Sequence, residues 1–265
     1  MIRTNLYDAT KSRKLLDQRG IFSVIEYEKD ISISPQIAQE AYFASLMNVR
    51  KKQLVANMDG TVGVTAQAGE MQLMIGNIEA ATDIHSAGDL MKKFVKSVVT
   101  DETTIKPHYE GIGTLVFEPT FKFIILQDVS LWKEGMVIED GMFLACEDTV
   151  GLEVIGRKNI SSLVFGREGI FNTLLLGNGV VALESMVPSE ELLVVDLEDD
   201  VIKIDGDMAI AWSPTLKFTV EKTTATLVGS FASGEGLVNV YRGTGRVLIA
   251  PVRKNKGIAV PRDNQ

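Results

Sequence analysis

The chain reads as a mainly β protein. Three internal repeats of a small β-sandwich- or barrel-like unit are expected, in a pseudo-threefold arrangement with one or two short helices. Two observations predict this. Paired glycines recur at a fixed spacing, and a strand-like apolar segment follows each pair. Tyr109–Pro119 reads YEGIGTLVFEP and Tyr241–Pro251 reads YRGTGRVLIAP, an offset of 132 (241 − 109). Halfway between lies Leu176–Glu184, LGNGVVALE. The pairs are Gly111/Gly113, Gly177/Gly179 and Gly243/Gly245, each 66 residues from the next.

Features upstream keep the period. Glu102, Glu168 and Glu235 precede the first glycine of each pair by eight or nine positions. Gly141–Val154 (GMFLACEDTVGLEV) aligns with Asp207–Val220 (DMAIAWSPTLKFTV), so Ala145 and Ala211 are again 66 apart. The first copy answers with Gly69–Ile75, GEMQLMI, and carries about five extra residues before its glycines. The expected division is an N-terminal extension over 1–20, a triplicated β domain over 21–252 with repeats at roughly 53–118, 119–184 and 185–251, and a flexible tail over 253–265. A Gly-x-Gly between strand-like runs predicts a turn, where positive φ or close backbone approach excludes a side chain. A phosphate loop would instead need a strand leading into a helix. One small unit of short strands cannot hide its apolar face alone, so stacking three copies would bury a continuous core. Barrel, sandwich and prism remain open.

Two helices are expected. Pro35–Met47 has proline at its first position. Leu90–Val98 (LMKKFVKSV) places Leu90, Met91, Phe94, Val95 and Val98 on one stripe, with Ser86 and Asp89 as a capping box.

Composition narrows the function. The 265 residues are 45% hydrophobic and 23% charged, the profile of a globular chain. The net charge of −8 argues against a protein whose main task is gripping nucleic acid. Cys146 is the single cysteine, so no intrachain disulfide can form. Met1–Gly20 has no apolar run of a secretory signal, and no stretch reaches the length of a membrane helix, which points to a cytoplasmic location.

No constellation of catalytic or metal-binding residues stands out. No cofactor and no metal are expected. His85 and His108, the two histidines, fit no ligand-pair spacing and read as surface or loop residues. Cys146 reads as a small buried hydrophobe. The acidic run Glu190–Asp200 (EELLVVDLEDD) reads as a strand over Leu192–Leu197 followed by a solvated turn at Glu198–Asp200, without the spacing of a calcium loop. Arg50–Lys51–Lys52, Lys92/Lys93/Lys96 and Arg253–Lys254–Lys256 read as solvated faces. Trp212, in the alternation MAIAW, reads as core or interface, and two tryptophans make no stacking platform for single-stranded RNA.

The segments Ala66–Met71 (AQAGEM), Leu192–Val220 and Ala232–Ala250 (ASGEGLVNVYRGTGRVLIA) resemble the altered-inheritance-of-mitochondria protein 24 family, over roughly residues 22–252. The likeness is to the bacterial members, which are uncharacterised. It implies a triplicated β fold similar to that of the trp RNA-binding attenuation protein, and oligomeric assembly. It supplies no catalytic motif. The expected function is therefore a non-enzymatic oligomeric scaffold or binding protein. Its first partner would be a second copy of itself, as a homotrimer or other homo-oligomer, with an unidentified protein as a further partner. An RNA- or small-ligand-binding ring is the alternative. A membrane-associated organising factor is a third, supported only by the Leu90–Val98 stripe and its lysines.

Overall fold

A computed structural model describes residues 4–29, 33–81, 106–156, 171–206, 208–222 and 237–251, and the statements below concern those residues. The Leu90–Val98 helix, the three acidic residues Glu102, Glu168 and Glu235, His85 and the 253–265 tail lie outside them. The chain starts with a hairpin, β1 (Arg13–Arg19) and β2 (Phe22–Tyr27). A 3-10 turn at Pro35–Ile37 runs into α1 (Ala38–Leu46), where Pro35 was expected to start a helix. Next come β3 (Lys52–Asp59), β4 (Val64–Ala66), β5 (Met71–Ala81) and β6 (His108–Phe117). The middle of the chain forms β7 (Phe123–Asp128), β8 (Met136–Ile138), β9 (Phe143–Glu147), β10 (Val150–Gly156), β11 (Phe171–Gly177) and β12 (Val180–Ser185). The last strands are β13 (Leu193–Asp205), β14 (Ala209–Trp212), β15 (Lys217–Lys222) and β16 (Leu237–Ile249).

These strands make two sheets. The nine-stranded sheet runs β1-β2-β3-β6-β4-β9-β12-β7, with β5 also on β6. Its edge strand β7 lies against β1 and β3 without hydrogen-bonding to them, so the sheet is a nearly closed barrel. The seven-stranded sheet runs β10-β11-β8-β14-β16-β13, with β15 also on β16. Residues 13–19, in the segment expected as an N-terminal extension, thus form a strand of the barrel.

Strands β9 and β12 serve both cores. Leu144, Val180 and Ala182 point into the barrel beside Phe22, Leu54 and Phe117. Phe143, Cys146, Val181 and Leu183 point the other way, toward Met136, Ile138, Ile210 and Leu248 of the second sheet. A strand covered on both faces carries an unbroken apolar run instead of alternation. FLAC and VVAL are such runs. A third cluster packs Trp212 against Tyr241, with ring centroids 5.4 Å apart, and against Phe218 at 6.4 Å.

The glycine pairs do not all form turns. Gly177–Gly179 joins β11 to β12, but Gly111/Gly113 and Gly243/Gly245 sit inside the continuous strands β6 and β16. The first glycine of each pair has positive φ: 125° at Gly111, 107° at Gly177 and 121° at Gly243. These strands crease there and change partners: β6 pairs with β4 at Tyr109 and with β3 from Ile112 onward. Close approach also demands glycine, since a Cβ on Gly111 would lie 2.1 Å from the Asn77 carbonyl oxygen. The expected turn at Glu198–Asp200 is likewise a bulge within β13, with Asp199 at φ 51° and its N–H donating to Thr244 Oγ1. A bulge and a turn use the same polar residues, which is why composition could not separate them.

Lys52 departs from the expectation of a solvated basic face. Strand alternation puts it on the same side as Leu54, Ala56 and Met58, and it is fully buried. Its ammonium donates to the Arg50 carbonyl at 2.9 Å, lies 3.9 Å from Glu26 Oε2 and sits 4.0 Å from the Phe123 ring centroid. Glu26, 4% exposed, also accepts from Arg50 at 3.2 Å and faces Lys14 at 3.4 Å. Burial pushes the Lys52 pKa down, with Glu26 opposing. At the other end of β2, Glu147 accepts from the backbone N–H groups of Ile21 at 3.0 Å and Val180 at 2.8 Å, tying the β1–β2 turn to β12.

Two outcomes are expected from these charges. Glu26→Gln leaves three cations without their buried counter-charge and should cost about 3 kcal/mol of unfolding free energy in urea titration, whereas Glu26→Gln with Lys52→Met should recover most of that loss. Glu221 receives a two-pronged bond from Arg242, at 2.5 and 2.9 Å, which holds its carboxyl at about 2 against an ordinary 4.5. A depressed carboxylate stabilises the fold above its unfolded pKa and loses that effect as pH falls through the folded value. The thermal midpoint should therefore drop between pH 5 and 2, and Glu221→Gln should flatten part of that drop.

Candidate functional site

A cleft of about 200 Å³ lies where the two sheets meet. Met142 enters from the start of β9, Met186 from just after β12, and Met208 and Ile210 from the start of β14. Backbone bonds pin these walls: the Glu184 N–H donates to Met142 O at 2.8 Å, and the Ala250 N–H to Met208 O at 2.8 Å. Ser185 turns the chain here, its hydroxyl donating to Val187 O at 2.7 Å and accepting from the Val187 N–H at 3.0 Å. Met142 is 5% exposed and Met186 55%, so the methionines grade from core to rim.

At the rim, Lys122 donates to Glu184 in an ion pair. Glu70 lies near enough to feel it. Burial first, and then repulsion from Glu184, raise the Glu70 carboxyl above its ordinary value, while Lys122 opposes. The cleft thus offers polarizable apolar walls, the Lys122–Glu184 pair and the Asp140 carboxylate. Methionine walls adapt their shape to an apolar guest.

The residues weighed from sequence are dispersed. Cys146 is fully buried on β9, and burial pushes its thiol pKa far up. His108 is on strand β6 and not in a loop; its Nε2 is 2.9 Å from Glu110 Oε1 and its Nδ1 3.4 Å from Thr65 Oγ1. Asp196 is held below the usual carboxylate range by Arg246, whose Nε and second nitrogen donate at 2.7 and 3.0 Å. Among the described residues, no three or more of His, Cys, Asp and Glu are placed to hold a metal. Trp132 and Trp212 are buried. The cleft was missed because its walls come from five separate segments. One signal was present: Met142 and Met208 are 66 apart, each one residue into its aligned segment.

A different surface stands out by exposure. In and beside α1, Ile37, Tyr42, Phe43, Leu46 and Met47 are 51–77% exposed, and no residue of α1 is buried. Tyr42 and Phe43 meet edge to face at 5.5 Å. Among the described residues, no helix is long and apolar enough to cross a membrane.

Comparison with known proteins places the chain among relatives without an assigned role. A protein of Streptococcus pyogenes serotype M6, named only as uncharacterised, is 25% identical over 193 residues, covering 70% of this chain and 75% of that one. A crystal structure of a protein from Streptococcus pyogenes has a similar fold, with a TM-score of 0.55 and 23% identity, over 77% of this chain and 89% of that one. The model of the family described as Mitochondrial biogenesis AIM24 matches residues 45–252. That span takes in the barrel from before β3 onward and all of the second sheet, and the chain belongs to the AIM24 family.

Proposed function

We propose that this protein is a non-enzymatic, oligomeric scaffold or binding protein, built from three copies of one strand unit. The observation that carries the binding role is the exposed apolar surface of α1 and its flanks. A helix with nothing buried beneath it adds little to the fold. Its aromatic and long aliphatic side chains supply the rigid contact area that protein interfaces favour.

Several features support the triplication. The first glycines of the three pairs share a positive φ of 107–125°. The first glycine of each pair lies on a strand that also forms a ribbon with the strand before it: β5–β6, β10–β11 and β15–β16. A register shift recurs at one place, between Met71 and Leu73, Phe143 and Ala145, and Ala209 and Ala211. The residues opposite these shifts, Phe117, Leu183 and Ile249, are 66 apart (183 − 117; 249 − 183). Bulges are features that a repeated unit would carry with it.

The small-ligand alternative rests on the cleft. At about 200 Å³ it is smaller than pockets for drug-sized ligands, and fits a short apolar chain with one charged end.

If the proposal holds, light scattering at about 10 µM gives a mass of more than one chain, and native mass spectrometry shows that multimer without added small-molecule mass. Retained mass in a fixed ratio to subunits favours the cleft reading instead. The triple variant Tyr42→Ser, Phe43→Ser, Leu46→Ser should keep the thermal midpoint within about 2 °C, because these side chains bury nothing. It should lose proteins that co-purify with the unaltered chain from its own cell. Equal recovery by both chains counts against α1 as the contact surface.

A further inference from the structure

Two strand pairings join one unit to the next, and they have the same register. Strand β4 of the first unit pairs with β9 of the second, Ala66 opposite Ala145 and Thr65 opposite Cys146. Strand β8 of the second pairs with β14 of the third, Ile138 opposite Ala211 and Val137 opposite Trp212. Both are antiparallel. In each, the first strand is fastened to its own glycine-bearing strand at the same place. Thr65 lies opposite His108 and Val137 opposite Leu174, 66 residues on. The third unit's counterpart is Lys203, opposite Val240, a further 66 on. Lys203 and Ile204 of β13 therefore stand where Thr65–Ala66 and Val137–Ile138 stand.

The receiving strand can be traced the same way. Ala145 lies opposite Ala182, and Ala211 opposite Leu248. The first unit's counterpart is Leu73, opposite Val116, since 116, 182 and 248 are spaced by 66. Leu73 and Met74 of β5 thus stand where Ala145–Cys146 and Ala211–Trp212 stand.

Among the described residues, both edges are unused. β5 pairs only with β6, and β13 only with β16. The burial differs accordingly. Ala145, Cys146 and Ala211 are 0% exposed and Trp212 5%, each on a strand paired with the neighbouring unit. Leu73 and Met74 are 40% and 39% exposed. An open edge with apolar side chains is a template for another strand of matching register.

We infer that β13 of one copy pairs antiparallel with β5 of a second copy, Ile204 opposite Leu73 and Lys203 opposite Met74. This continues between chains the junction that the chain already makes twice within itself. The inference rests on the proposed self-association and triplication and adds the surface and its register. Because the two edges differ, the contact is head-to-tail, and it closes into a ring or extends as a filament.

Disulfide trapping tests the register. Met74→Cys and Lys203→Cys chains are prepared separately, mixed and oxidised. Facing residues on antiparallel strands lie within bridging range. Covalent dimers are expected in the mixture and not in either chain alone. Cys146, buried and with its thiol pushed up in pKa, supplies no competing bridge. Leu73→Asp should weaken assembly at least about 100-fold by light scattering, because it would bury a charge at the junction. Its circular dichroism should not change, and its thermal midpoint should equal that of the parent chain diluted until it dissociates, since Leu73 is exposed in the single chain. An oligomeric parent chain without a bridge in the mixture overturns this register and leaves self-association standing. A parent chain monomeric at about 50 µM overturns both.

Discussion

The two-faced burial of β9 and β12 is the constraint on which the rest of the molecule depends. These strands are the floor of the barrel core and the ceiling of the core beneath the second sheet. Neither sheet can shift against the other without uncovering apolar side chains on one side of that wall. Interiors pack too densely to absorb such a slip gradually, so the wall fixes register as well as cohesion. It also sets the cleft, whose methionines project from the ends of β9, β12 and β14, where the wall stops.

Charge is used at the barrel where apolar packing ends. Glu26 and Lys52 occupy inward positions that continue the Phe22–Val24 and Leu54–Ala56 stripes. Glu147 spans from the first hairpin to β12 with two backbone donors. A buried charge that loses its partner is expensive, so these groups hold strand ends in one arrangement more than they add stability. Strand β7 lies beside β1 and β3 without a ladder of its own to them, and Lys52 with Phe123 helps hold that seam.

The sequence carried much of this, unevenly. The glycine spacing and the apolar segments after it announced short strands; the unbroken runs VVAL and FLAC also held the double coverage, but it was recognised only in the structure. Pro35 marked the helix. The inward turn of Lys52 was also legible, since period-two alternation aligns it with Leu54, but the neighbouring Arg50 and Lys51 gave it the look of a surface run. Crease and turn were confused at Gly111 and Gly243, because glycine serves both. The acidic stretch at Glu198–Asp200 concealed a bulge for the same reason. Of the cleft, only the 66-residue spacing of Met142 and Met208 was legible, because Lys122 and Glu184 share no local pattern with them and only the sheet junction brings the four together.

The excursion that carries α1 leaves the barrel after β2 and returns at β3, two strands that pair from Phe22–Ala56 to Glu26–Lys52. Beyond that ladder, the Tyr27 N–H donates to the Lys51 carbonyl at 2.9 Å, so the excursion is clasped at its base. The entropy of closing such a loop grows slowly with its length. The fold therefore places little constraint on what the excursion contains. Relatives could exchange this segment for another of different length or chemistry and keep the same barrel, so that contact preference and architecture evolve separately.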